Sequence, residues 1–329
     1  MHFSFQLRRD GARFILMVLI AVACIQAARA QQVVLRIGHF PNITHVQALV
    51  AHGLSRKGEG WFEQRLGPGI KLEWYIYNAG PSAMEGVFAD AVDLTYVGPS
   101  PAINAFTKAR GEEIRIVAGA VDGGAALVVQ SESSLRSPSD FRGKRVATPQ
   151  LGNTQDVSAR AWLASGGLHI TLTGGDAQVV PTSNPDQLAL FKSRQIDAVW
   201  TVEPWVSRLE IEAQGKVVVE EKDSLTTVLV SSRKLLDQQR VLVRRFVSAH
   251  EDLTLWIRTH PAEAQAMVRD ELAAETRTQV SSDLVARAWG RILLVSDVNL
   301  PALQSFIAKA QQAGFLRGTP DLTRLVQTP

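Results

Sequence analysis

The sequence is poor in the residues on which reactive sites are usually built. Its single cysteine, Cys24, lies near the N-terminus, so the rest of the chain has neither an internal disulfide nor a thiolate nucleophile. The 7 histidines fall singly, with no His-x-His pair and no H-E-x-x-H, and no catalytic or structural metal is expected. There is no G-x-S-x-G elbow, no phosphate-binding P-loop and no G-x-G-x-x-G, so a serine hydrolase, a P-loop nucleotide site and a dinucleotide cofactor all lose their usual marks. No cofactor is expected. The one long apolar run, Phe14 to Ile25, is too short for a membrane span and has no stop-transfer pattern after it.

That run has Arg8, Arg9 and Arg13 before it and Ala28-Arg29-Ala30 after it, the layout of a secretory signal peptide covering residues 1–30. The expected address is the periplasm; Ala21-Val22-Ala23-Cys24 is a poor lipoprotein box, and lipid attachment at Cys24 is the weaker alternative. The leader also carries the charge excess. Of 35 basic and 32 acidic residues it holds four Arg and one Asp, which leaves 31 of each and a net charge of zero. The basic pI is therefore no sign of nucleic-acid binding.

What is present is an α/β pattern. In VDLTYVGPSPAINAF, residues 92 to 106, a β-branched and aromatic run ends at Gly98 and a helix period follows, with Ser100 expected at the N-cap and Pro101 at the first helical position. QIDAVWTVEPWVSRL, residues 195 to 209, repeats the arrangement: an Asp before the strand, a proline turn, then an amphipathic helix. Two α/β lobes, each offering a strand edge to a shared cleft, account for the echo. The Gly123-Gly124 pair suits the first crossing between lobes, and Thr226 to Val230 suits the return. The expected division is 31–123 plus 231–329 for lobe I and 124–230 for lobe II. Past the return the pattern is helical, with Leu242, Phe246, Ala249, Leu253, Trp256 and Ile257 on one face and Leu303, Phe306, Ile307 and Ala310 on another.

The candidate ligand groups sit in the turns between strands and helices. They are Asn42 and Thr44, Ser82, Ser100, the Gly123 and Gly124 amides, and Asn153, Thr154 and Gln155; none of these turns carries Lys or Arg. Helix N-termini supply positive potential without a salt bridge, which suits a permanently ionised anion such as a sulfonate, sulfate or nitrate. Glu203 is a candidate partner for a ligand ammonium, and Trp205, with Trp200, Tyr96 and Phe40, for its organic part. An exported enzyme using Glu203 and His45 as an acid and base pair is the competing reading.

Five segments in order, Gly-His-Phe-Pro-Asn-Ile-Thr-His at 38 to 45, Asn-Ala-Gly-Pro-Ser at 78 to 82, Val-Gly-Pro-Ser-Pro at 97 to 101, Pro-Gln-Leu-Gly-Asn-Thr-Gln-Asp at 149 to 156 and Glu-Pro-Trp at 203 to 205, resemble the nitrate, sulfonate and taurine solute-binding proteins of ABC importers. The resemblance implies a two-lobe periplasmic-binding-protein fold of type II with the ligand cleft between lobes. It also implies a monomer that is no enzyme, takes a small-molecule anion, and delivers it to an inner-membrane ABC permease and its ATPase. An aliphatic sulfonate or taurine-like anion is the expected ligand, with nitrate or a thiamine-precursor pyrimidine as alternatives. A pyrimidine synthase related to this family relies on a cysteine-rich segment, which this chain lacks.

Overall fold

The computed structural model describes residues 32–329; the expected leader and Cys24 lie outside them. In chain order the strands are β1 (Val33–His39), β2 (Ile70–Ile76), β3 (Leu94–Val97), β4 (Ile114–Gly123), β5 (Ala125–Val129), β6 (Arg145–Thr148), β7 (Gln178–Pro181), β8 (Ala198–Val202), β9 (Lys216–Glu221), β10 (Leu225–Ser232) and β11 (Ile292–Leu294). They form two sheets, one ordered β11-β4-β10-β3-β1-β2 and the other β7-β6-β8-β5-β9. In the first, β1 runs parallel to β2 and β3, while β10 lies antiparallel between β3 and β4. In the second, β6 runs parallel to β7 and β8, and β5 lies antiparallel between β8 and β9. The two halves repeat one plan: β3 and β8 occupy the same place beside the antiparallel strand that arrives from the other lobe. The echo between residues 92–106 and 195–209 is thus a topological equivalence.

Both faces of each sheet are covered. Leu35, Ile37 and Tyr96 pack with the helices Val46–Arg56, Arg240–Thr259 and Pro261–Thr276, and Val97, Val228 and Val230 pack with Pro99–Lys108 and Leu300–Gln312 on the other side. This is why β3, β5, β8 and β10 are apolar or neutral along their whole length and show no alternation. The C-terminal helices carry their expected faces inward: Phe246, Leu253, Ile257, Leu303 and Ile307 are buried, and Trp256 is partly so. Among the described residues no helix is long and apolar enough to cross a membrane.

The chain passes between sheets where β4 ends and β5 begins, at Gly123 (φ 73°) and Gly124 (φ 76°). A Cβ at Gly123 would stand 2.7 Å from the Arg291 carbonyl oxygen, so positive φ and close approach both require glycine there. The return comes earlier than the expected 230/231 boundary, because β10 already belongs to the first sheet from Leu225. A second difference concerns Ser100. The helix begins at Pro99 with Gly98 as N-cap, so Ser100 is inside the first turn and its hydroxyl is free for a partner elsewhere. Pro99 has the φ a helix needs and no N–H to lose, which moves the start one proline upstream. The chain is also not wholly helical after β10, since β11 adds an antiparallel edge to β4.

Candidate ligand-binding cleft

In a parallel strand–helix unit the helix starts at the C-terminal end of the strand, so both sheets turn helix N-termini toward the space between them. That space holds a cavity of about 30 Å³. Thr44 and His45 reach it from the turn after β1, Asn78 to Gly80 from the start of Gly80–Phe88, and Gly98 and Pro101 from the start of Pro99–Lys108. From the other side come Asn153, Thr154 and Gln155 at the start of Thr154–Ser165 and Asn184 at the start of Asn184–Lys192. Thr226 and Thr227 on β10 complete the wall. Each helix leaves its first N–H groups without an intrahelical acceptor, and the lining contains no Lys, Arg, Asp or Glu.

Two lining residues hold a buried polar atom with no partner, Nδ1 of His45 and Oγ1 of Thr227. Leaving such an atom unpaired costs about 1–3 kcal/mol, so each is open to a partner that enters the cavity. Burial keeps the His45 pKa well below its ordinary value, with His39 adding to the effect, so the imidazole is neutral. Around it the polar groups are locked: Asn153 Oδ1 accepts from the Asp156 N–H at 2.8 Å, and Asp156 also accepts from the Thr148 hydroxyl and the Gly152 N–H. Buried Arg160 pairs with Asp156 at 3.1 Å, which leaves neither charge facing the cavity.

Five of the residues expected from the sequence, Asn42, Thr44, Asn153, Thr154 and Gln155, line the cavity together. Ser82 and Ser100 lie outside its lining and bridge the lobes. The Ser100 hydroxyl donates to the Gly152 carbonyl at 3.0 Å and the Ser82 hydroxyl to Gln150 Oε1 at 3.3 Å. Gly123 and Gly124 form the crossing and lie outside the lining. Glu203 does not face the cavity: its carboxylate accepts from Arg291 Nη1 at 2.8 Å and from the Ser207 hydroxyl at 2.9 Å. It is therefore available neither to a ligand ammonium nor to His45 as an acid–base partner. Burial raises its pKa, opposed by the bonds from Ser207 and Arg291. Trp205 sits behind the lining, its indole N–H donating to Asn42 Oδ1 at 3.1 Å. Of the other aromatics only Phe40 reaches the cavity, tilted 37° against the His45 ring with centroids 4.3 Å apart; Tyr96 and Trp200 are core residues. Asn78 and Asn184 carry the same signal as Asn153, an amide at a helix start, and could have been chosen on it. Thr226 and Thr227 could not, because only the sheet order brings β10 to the cleft.

Two mixed sheets of matching plan, joined by paired crossings and closing on a polar cavity, define the periplasmic-binding-protein fold. A family model described as "NMT1-like family" matches residues 28–271, and the chain belongs to that family. It is 26% identical over 232 residues, 68% of each chain, to a Bacillus subtilis protein named "Putative aliphatic sulfonates-binding protein". It superposes on the alkanesulfonate-binding protein SsuA of Xanthomonas axonopodis pv. citri, solved bound to MOPS, with a TM-score of 0.71 and 21% identity over 90% of this chain and 97% of that one. The periplasmic nitrate-binding protein NrtA of Synechocystis superposes with a TM-score of 0.71 at 14% identity, over 89% of this chain and 84% of that one.

Proposed function

We propose that the protein is the periplasmic solute-binding component of an ABC importer and that it holds the sulfonate group of an aliphatic sulfonate in the cleft. The observation that carries this reading is a charge-free cavity on which helix N-termini converge from both lobes, with Thr227 Oγ1 and His45 Nδ1 unpaired beside it. A strongly acidic oxyanion stays ionised there without a cationic side chain, because backbone N–H groups and helix ends supply the potential. A second cavity of about 300 Å³ shares Pro101 with the first and is bordered by Pro81, Met84, Phe88, Leu151 and Phe315. Its lining also includes Glu85, Asn104 and Lys108, so it offers an organic tail a mixed surface of apolar and polar groups. With Glu203 engaged by Arg291 and no carboxylate in the lining of the inner cavity, taurine gains nothing there from its ammonium over ethanesulfonate.

Nitrate is the second reading, supported by the small size of the inner cavity. Thermal melts with alkanesulfonates of increasing length, taurine, sulfate and nitrate decide between them. Ligand at a hundred times its dissociation constant adds about 2.7 kcal/mol of stability. Stabilisation by C2 to C6 sulfonates, with taurine no better than ethanesulfonate, is the expected outcome. A response to nitrate alone overturns the sulfonate reading.

A further inference from the structure

One layer behind the cleft, His39 at the end of β1, His52 on Val46–Arg56 and Glu275 on Pro261–Thr276 bring one atom each to a common point. His39 Nε2 lies 3.0 Å from His52 Nδ1 and 3.1 Å from Glu275 Oε1, and His52 Nδ1 lies 2.9 Å from the same oxygen. Hydrogen bonding satisfies at most two edges of this triangle. A ring nitrogen has either one proton or one lone pair and serves one partner, whereas each nitrogen here faces two. If both donate to Glu275 Oε1, the two N–H groups crowd side by side onto one oxygen and the 3.0 Å nitrogen–nitrogen contact has no hydrogen bond across it. If either nitrogen is bare, its lone pair faces the carboxylate.

The His39 and Glu275 side chains are fully buried and that of His52 nearly so, and among the described residues Glu275 Oε2 has no hydrogen-bond partner. The rings are also fixed from behind. His52 stacks on Trp74 at 5.0 Å, His39 stands edge-on to Trp74 at 5.6 Å, and His39 Nδ1 faces the Phe40 carbonyl at 3.3 Å, an outer contact that leaves Nε2 as the lone-pair nitrogen.

Ligand atoms bound at ~2.0–2.1 Å in a tetrahedral site lie ~3.3 Å apart. The observed edges of 2.9–3.1 Å approach that spacing. We propose that His39, His52 and Glu275 bind a zinc-like divalent cation; Glu271, whose Oε1 is 3.3 Å from His52 Nδ1 and accepts from Arg56 Nε at 2.8 Å, stands beside the fourth position. Two imidazoles and a carboxylate favour zinc or cobalt over magnesium or calcium. Glu271 and Glu275 project from one helix face at i, i+4, and the cation ties that helix to the β1 turn whose next residues, Phe40 and Asn42, line the cavity. The site acts as a structural clamp and is independent of which anion the cleft takes.

The test uses the protein stripped with a chelator and titrated with Co²⁺, Zn²⁺ or Mg²⁺. One equivalent of Co²⁺ is expected to give the visible absorption of a four-coordinate site, displaced by Zn²⁺, and Zn²⁺ but not Mg²⁺ should raise the melting temperature. His52→Gln and Glu275→Gln should each weaken Zn²⁺ binding by at least about 100-fold. If a variant does not fold, paramagnetic broadening of the His39 and His52 ring signals by Co²⁺ in the unaltered protein reports the same contact. Absence of stoichiometric Co²⁺ binding, absorption that persists in both variants, or ring signals left sharp would each overturn the proposal.

Discussion

Replacing Arg291 with Met takes the cation from a carboxylate that has no other charge partner. Glu203 is fully buried, and without Arg291 its remaining side-chain partners are the Ser207 hydroxyl at 2.9 Å and the Ser207 N–H at 3.0 Å. The intact pair adds little net stability, because desolvation of both ions offsets their attraction, but breaking it strands a buried charge at a cost of about 3–5 kcal/mol. The protein can escape by protonating Glu203, whose pKa burial already raises. A carboxyl with a raised folded pKa binds its proton more tightly in the folded state, so the penalty is largest at high pH and shrinks as pH falls through that pKa. Urea unfolding at pH 8 and pH 5 of Arg291→Met, Glu203→Gln and the double variant measures this. The double variant should recover most of the loss, with a coupling of about 2 kcal/mol or more. A loss under about 1 kcal/mol, or one unchanged by pH and unrelieved by Glu203→Gln, would refute the reasoning and reduce the pair to a surface contact. The pair also ties β8's C-terminal turn to the segment entering β11, beside the Gly123 crossing, so its loss should loosen the seam between lobes.

Two further outcomes follow from buried polar groups and close contacts. His250 is buried as the neutral tautomer, Nε2–H donating to the Gly119 carbonyl at 2.8 Å and Nδ1 accepting from the Tyr96 hydroxyl at 3.0 Å, and desolvation lowers its pKa from 6.5 to about 4. A depressed folded pKa contributes stability that is whole above pH 6.5 and lost as pH falls toward 4, about 3 kcal/mol in all, and His250→Gln should flatten that part of the stability–pH curve. Gly98→Ala would place a Cβ 2.3 Å from Thr154 Oγ1 and 3.3 Å from its Cβ, across the cleft, while the Gly98 φ of −71° is ordinary for alanine. Far-UV circular dichroism should be unchanged while ligand affinity falls at least about tenfold and ligand-induced compaction in small-angle scattering is lost; full affinity would show that the lobes need not approach this closely.

Local chemistry settled much of this protein in advance. The strand-to-helix turns, the glycine pair at the crossing and the apolar faces of the late helices are all short-range patterns, set by β-branching, φ requirements and the 3.6-residue period, and they survive folding because both faces of each sheet are buried. The amides and hydroxyls at helix starts belong with them, since capping chemistry is local too; this is why Asn153 and Thr154 were legible. Tertiary structure decided what depends on distant partners. Glu203 looked free until Arg291, far along the chain, arrived to neutralise it. Ser100 looked like a cap until Pro99 took the helix start and Gly152 took the hydroxyl. Thr226 to Val230 was legible as the return to the first lobe, but β10 brings Thr226 and Thr227 to the cleft only because it inserts antiparallel between β3 and β4, a choice of sheet order. The His39, His52 and Glu275 triangle is the furthest from sequence sight: its members come from a strand and two helices, and three side chains converge on one point only when those elements pack.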